Sequence, residues 1–478
     1  MPLILPGNVA SATAATGFNI ENSCRWSEAD SARMTLTQGS TSDAIRQKFT
    51  FSCWFKIGNL AGVSGERTIY GIDNGSVFFY ISIGGADNIR VGSYSGVSSN
   101  YDILTTALIR DPSAWYSLVV ACDSTDGTAA NRVKVYLNGT QITVFDTANY
   151  PAQNYTFEAN GTVAGYIGSD SGSTFFDGYL AEIMMVTGSQ LAPTAFGEFD
   201  EDSPTIWKPI DISEQAVGTN GFYLDFKDSS NLGNDASGGT DWSEANITAA
   251  DQAVDTPTNN FCVMNHLDNY YESADFAKGN CKITTDNGTY NTSTFALSSG
   301  KWYMECEMDY DAGVGDYWRL GIVDRPSTGV NVQFGAHPNS YCADQGSVVQ
   351  YGTNSTFGAP FVDGDIISVA LDLDNNTIAW ANNGAYGGGV GSASWSGSLS
   401  ATHSITAAAS TLHGHYFIAG AANDETSGGY RMLYNFGGCS PFDVASANQD
   451  ENGYGNFEFA VPSGYLALCT KNLGSDGG

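Results

Sequence analysis

Positive charge is scarce in this 478-residue chain: 19 Lys and Arg stand against 51 Asp and Glu, a formal net charge of −32. No Lys/Arg-rich stretch offsets that locally. A nucleic-acid partner is therefore not expected, because neutralising phosphates needs clustered cations. Charged residues of both signs reach only 15% of the chain, and neither heptads nor Glu/Lys-patterned helical faces occur. Long apolar runs are missing too. Nothing approaches the roughly 20 consecutive apolar residues of a membrane helix, so no membrane insertion is expected. The opening Met1-Pro2-Leu3-Ile4-Leu5-Pro6-Gly7 lacks a basic segment, and its apolar run is too short for a secretory leader. Metal-type cysteine spacing is absent: Cys24, Cys53, Cys122, Cys262, Cys281, Cys306, Cys342, Cys439 and Cys469 form no CxxC pair and are odd in number. They read as small buried hydrophobes of a protein made in a reducing cytoplasm. Sequons such as Asn246-Ile247-Thr248 then carry no weight.

What is abundant is glycine, at 56 residues, together with 12% aromatics. That combination describes short aromatic-rich strands joined by many turns. From Phe49 to Lys56 apolar and polar side chains alternate, as in a half-buried strand. The pattern continues through Ser76 to Ile83, Trp115 to Cys122, and Phe175 to Val186. Arg132 to Leu137 and Gln141 to Phe145 flank Asn138-Gly139, a hairpin signal because both residues tolerate the positive φ of a type I′ turn. Alternation is lost between Pro204 and Asn260, which reads as a linker or interdomain wrap. A second strand set follows, including Lys301 to Met308, Trp318 to Val323, Asp365 to Leu373, Thr377 to Ala381 and Arg431 to Gly437. Sequential strands with hairpin turns imply antiparallel sandwiches. The expected fold class is all-β, with sandwiches over residues 1–203 and 261–478 and the linker over 204–260.

The first segment resembles a laminin-G-like, concanavalin-type jelly roll. The residues that carry the likeness are Phe51 to Lys56, Trp115 to Val120, the Val135-Tyr136-Leu137-Asn138-Gly139 hairpin, and Phe176-Asp177-Gly178-Tyr179-Leu180-Ala181-Glu182. The second segment is similar to a SPRY domain, another concanavalin-like sandwich, at Gly300 to Glu305, at Asp363 to Asp374, and at Ile378 to Gly384. Taken with Asp255 to Phe261 at the junction and Pro462 to Leu473 at the end, the whole arrangement resembles structural proteins of marine tailed bacteriophages. That resemblance implies a multicopy or homo-oligomeric protein at the virion surface, a capsid decoration, head fibre or tail-fibre module. Its partners would be other virion proteins and host surface glycans. Ligand chemistry does not follow, since these sandwiches host lectins, glycan hydrolases and protein-binding modules alike.

Catalytic signatures are sparse. Glycosidases need two carboxylates roughly 5 to 9 Å apart, and concanavalin-type glucanases set theirs in an E-x-D-x-x-E arrangement that is absent here. Glu305 and Glu307 share a strand face by period two and read as solvent-facing acids. His413-Gly414-His415 could hold a transition metal but shows no third ligand. No G-x-S-x-G elbow, P-loop or Cys/His pairing stands out. A binding protein rather than an enzyme is expected, with a polysaccharide depolymerase and a ligand-free structural cement as the alternatives. Calcium is the candidate cofactor, through Asp123 and Asp126 on one loop and Asp372 and Asp374 on another; both loops also read as ordinary turns. For glycans the candidates are Tyr94, Tyr101, Tyr310, Tyr317, Tyr351 and Tyr386, which sit among Gly, Ser, Asn and Asp. Such tyrosines stack on sugars or make subunit contacts. The odd, scattered cysteines generate a first prediction: the melting temperature is unchanged by millimolar reductant, and a drop of many degrees would reveal a required disulfide.

Overall fold

A strand with a polar residue at every second position normally leaves those residues in water, yet Lys48–Ile57 is buried from Phe49 onward on both faces. The inward set, Phe49, Phe51, Cys53 and Phe55, joins one large apolar core. The outward set, Thr50, Ser52, Trp54 and Lys56, is covered as well. Its partner Gly178–Thr187 is buried along its whole length, and the two pair antiparallel. The half-buried reading of this strand is thus corrected: a further layer of chain lies on the outer face.

The computed structural model describes residues 17–58, 60, 65–73, 75–96, 98–159, 161–268, 274–285, 290–310, 318–327, 334–344, 347–350, 353–356, 358, 361–387, 399–422 and 430–476. Two compact units divide the chain, Thr13–Thr258 and Asn259–Gly478. In the first, one eight-stranded sheet is centred on Lys48–Ile57 and Gly178–Thr187, and a second eight-stranded sheet contains Arg67–Asp73, Val77–Ile83, Asn88–Ser95 and Ser98–Leu108. Their facing side chains form the core, where Phe51 stacks on Tyr70 at 5.5 Å and Phe49 meets Phe79 edge-on at 6.0 Å. The Asn138-Gly139 turn has the anticipated geometry, with φ of 47° and 74°. Glycine is needed there a second time, since a Cβ at 139 would lie 2.2 Å from the Trp207 ring.

The outer layer comes from residues 190–258. Phe196, Ile212 and Tyr223 pack on Val119, Met184 and Val186, while Trp207 packs on Trp54 and Ala181. Residues 204–258, read from the sequence as part of a linker or interdomain wrap, are packed into the first unit. Phe222–Leu224 pairs with Gly178–Thr187, Ser243–Ala245 with Arg33–Thr37, and Gln252–Ala253 with Ser23–Trp26. Phe222, Leu224, Phe226, Leu232 and Trp242 enter the main core. These strands run only two or three residues, too short for alternation to show. Several polar side chains of the covered face find partners in or beside the layer. Thr50 donates to the Ser189 carbonyl at 3.0 Å and accepts from the Leu191 N–H at 2.8 Å. Lys56 pairs with Asp255 at 2.7 Å, both 1% exposed, and the Trp115 indole donates to the other Asp255 oxygen at 2.9 Å.

The second unit repeats the arrangement with other residues. One sheet centres on Lys301–Tyr310, Ile366–Asp372 and Tyr430–Asn435; the other contains Trp318–Val323, Ser340–Asp344 and Phe417–Ala422. Trp302, Met304, Leu320, Val369, Trp380 and Met432 fill the space between, and the Trp380 indole donates to the Leu320 carbonyl at 2.9 Å. Glu305 is not a solvent-facing acid. It is fully buried and accepts from the main-chain N–H groups of Glu458 and Phe459 at 2.9 Å each, with the Tyr303 hydroxyl also at 2.9 Å. Glu307 is only half-buried. All nine cysteines are buried, as small hydrophobes should be.

Removing one partner of a buried ion pair strands the other charge. Asp255→Ala should therefore lower unfolding free energy by about 3 to 5 kcal/mol in denaturant melts, and Lys56→Met combined with Asp255→Leu should restore most of it. Equal stability of the native chain and Asp255→Ala would show that the outer layer is not fastened there.

Candidate functional site

The turns that carry the outer layer across the end of the first unit enclose a cleft of about 310 Å³. One wall is the end of Arg33–Thr37 with Gln38 and Gly39, the second is the 217–221 loop, and the third is the 235–240 loop. The walls hold one another: the Gln38 amide donates to the Asn220 carbonyl and the Asn220 amide to the Gly39 carbonyl, each at 2.5 Å. Thr187 ties the second loop down through the Val217 and Thr219 carbonyls. Asp235 organises the third. Only 5% exposed, it accepts at Oδ1 from the Tyr223 N–H at 3.0 Å and from the Ser237 N–H and hydroxyl at 3.0 and 2.6 Å. Among the described residues Asp235 is the single charged one of the lining, which is otherwise Gly, Thr, Asn, Gln, Ser, Leu and Val.

Beneath the cleft, Tyr223 connects Asp235 to a buried acid. Ala181 faces Trp54 and Met184 faces Ser52, so Glu182 and Ile183 share one partner position in a β-bulge. Glu182 holds a φ of 50°, strained for a residue with a Cβ. It is 4% exposed and accepts from the Tyr223 hydroxyl at 2.6 Å. Burial drives its carboxyl from the ordinary 4.5 up to about 7; the Tyr223 hydrogen bond and Lys227 oppose the rise, and Asp225 and Asp211 add to it.

The described residues among those singled out from the sequence lie elsewhere. Tyr101 is fully buried, edge-on to Tyr155 and Phe157 in the core, and presents no ring to a ligand. Tyr94 is half-buried beside its cross-strand partner Phe78. Tyr386 is half-buried in the hairpin with Thr377–Asn382. Tyr317, Tyr351 and the side chain of Tyr310 lie outside the described residues. None of the described tyrosines lines the cleft. Of the four aspartates proposed for calcium, three bond within their own turns and Asp374 bonds to a distant main-chain N–H. Asp123 accepts from the Thr125 N–H and hydroxyl and pairs with Lys48 at 2.9 Å; Asp126 accepts from the Thr128 N–H. Asp372 accepts from the Asn375 N–H and amide and pairs with Lys301 at 3.1 Å, while Asp374 accepts from the Gly300 N–H. His413 and His415 stack with ring centres 5.8 Å apart. Among the described residues no group of three or more His, Cys, Asp and Glu is placed to hold a metal. Sequence reading missed Asp235 and Glu182. The Asn234-Asp235 and Ser237-Gly238-Gly239 turn signals were visible, but they fell in the presumed linker.

These sheets define a nearly all-β protein of concanavalin-like jelly-roll fold. Residues 29–190, about a third of the chain, match the concanavalin A-like lectin/glucanases superfamily. Among solved structures the chain is similar to a putative carbohydrate binding protein from Bacteroides ovatus, at 17% identity over 48% of this chain and 60% of that one, TM-score 0.34. It is also similar to the heptameric SAP-like pentraxin of Limulus polyphemus, at 14% identity over 37% and 80%, TM-score 0.28. The SPRY domain of human HERC1 is similar at 13% identity over 34% and 89%, TM-score 0.25. No curated protein matches the chain in sequence.

Glu182 generates a pH prediction. Between 4.5 and about 7 the folded chain keeps a proton that the unfolded chain has released, so its contribution to stability falls as pH rises through that window and is level above it. Glu182→Gln should remove that fall and leave the variant more stable than the native chain at pH 8, by up to about 3 kcal/mol. Parallel stability profiles of the two proteins between pH 4.5 and 8 would contradict the assignment.

Proposed function

We propose that the protein is a non-catalytic surface component of a tailed-phage virion, a capsid decoration, head fibre or tail-fibre module, that binds host glycans in many copies. The observation that carries the binding half is the cleft: polar turns converge on Asp235, a buried acceptor, in a space at the small end of the range for small-molecule sites. The superfamily matched by residues 29–190 contains both lectins and glucanases, and the cleft favours the former. Among the described residues Asp235 is the only acid of its lining, whereas hydrolysis with acid and base, or acid and nucleophile, calls for two. The virion half rests on the sequence resemblance, which spans nearly the whole chain. The acidic surface suits an exposed particle component, since a net charge of −32 keeps copies soluble.

Without an aromatic ring in the lining, each site binds through hydrogen bonds alone and weakly. Multicopy display supplies useful strength. Clustered protein should hold glycans about 10²-fold or more tighter than monomer on an array, and a reducing-end assay on the same sugars should stay silent. Steady release of reducing ends, abolished by Glu182→Gln or Glu305→Gln, would establish a depolymerase; silence in both assays would leave a structural cement.

A further inference from the structure

The cleft carries more information than its existence. Among the described residues its lining contains no Lys, Arg or His, so none of them can neutralise an anion. Its one charge is negative, and Asp241, which accepts from the Asp235 N–H at 3.1 Å, adds a second acid behind it. Asp235 also spends its oxygens unequally. All three of its hydrogen bonds from described residues arrive at Oδ1, which leaves Oδ2 as an acceptor in a side chain only 5% exposed. The main chain at Gly239 runs against that oxygen so closely that a Cβ there would lie 2.1 Å from Oδ2; only glycine leaves the approach open. Oδ2 is thus the oxygen with acceptor capacity to spare, and a ligand hydroxyl or ammonium group would meet it through a charge-assisted hydrogen bond.

Resting on the reading of the protein as a glycan binder, we infer that this cleft takes an uncharged or amino sugar through Asp235 Oδ2 and rejects uronic, sialic and sulfated sugars. A carboxylate or sulfate brought to Oδ2 meets like charge in a partly desolvated space, with no cation to share it. A hydroxyl or a protonated amine meets its complement. The volume suits a terminal sugar ring rather than a long chain segment.

The test uses the full chain clustered on a multivalent support against immobilised neutral hexoses, free-amino hexosamines, hexuronates, and sialylated and sulfated glycans. The native protein should retain hexoses and hexosamines, hexosamines best, about tenfold or more above any acidic sugar. Asp235→Asn should lose about tenfold on hexosamines and narrow the gap to hexuronates, with Gly239→Ala weakening all binding. Either change could disturb the 235–240 turn, so Thr240→Lys, at an exposed position of the lining, provides an independent arm: it should improve retention of hexuronates without lowering the melting temperature. Equal or better binding of acidic sugars by the native protein would overturn the selectivity while leaving glycan binding intact. Preference for neutral sugars that neither Asp235→Asn nor Thr240→Lys alters would place the binding elsewhere on the protein and overturn the assignment to this cleft. Retention of no sugar at all would overturn the glycan-binding reading itself, and this inference with it.

Discussion

A central strand buried on both faces must find a partner for every polar group it carries, and this requirement governs both units. In the first, Thr50 and Lys56 project from Lys48–Ile57 away from the core. They would be stranded without Ser189, Leu191 and Asp255 to meet them. In the second, Glu305 projects the same way from Lys301–Tyr310 and is met by the main chain at Glu458 and Phe459. Burial pushes the Glu305 carboxyl above its ordinary range, against the four donors that favour its ionised form. Apolar packing supplies most of the adhesion between the outer layer and the sheet. The polar contacts supply register, because a charge without its partner is far more costly there than a shifted methyl group.

The same layer makes the site. Phe222–Leu224 joins the sheet at the Glu182 bulge, and that pairing sets Tyr223 with its hydroxyl on Glu182 and its N–H on Asp235. Asp235 is therefore tied into the fastening of the layer rather than carried on a loop added to a finished sandwich. A strained φ at Glu182 persists because pairing on both sides and the Tyr223 contact over-determine it. Turn residues with positive φ, Gly218, Asn220 and Gly238 among them, shape the walls, and their short side chains leave the space open.

The proposed multicopy presentation and a weak polar site fit together physically. A cleft without a stacking ring forgoes the area that gives single-site lectins their strength, and its small size limits the number of hydrogen bonds. Repetition on one scaffold compensates through effective concentration.

Fold class, strand positions and the Asn138-Gly139 turn were legible in the sequence because they depend on short-range rules: period-two alternation, β-branched and aromatic content, and positive φ at Asn-Gly. The buried state of the cysteines was legible for the same kind of reason, as a residue preference. Tyr101 was misread because a tyrosine among polar neighbours looks exposed until its strand is placed with its ring toward Tyr155 and Phe157. The covering layer was misread because strands of two or three residues carry no period, and their apolar side chains acquire meaning only against the sheet they cover. Lys56 and Asp255, 199 residues apart, and Glu305 and Phe459, 154 apart, bear no local mark of their pairing. Burial on both faces, and with it the site, was decided by tertiary structure, because only a folded sheet has an outer face to cover.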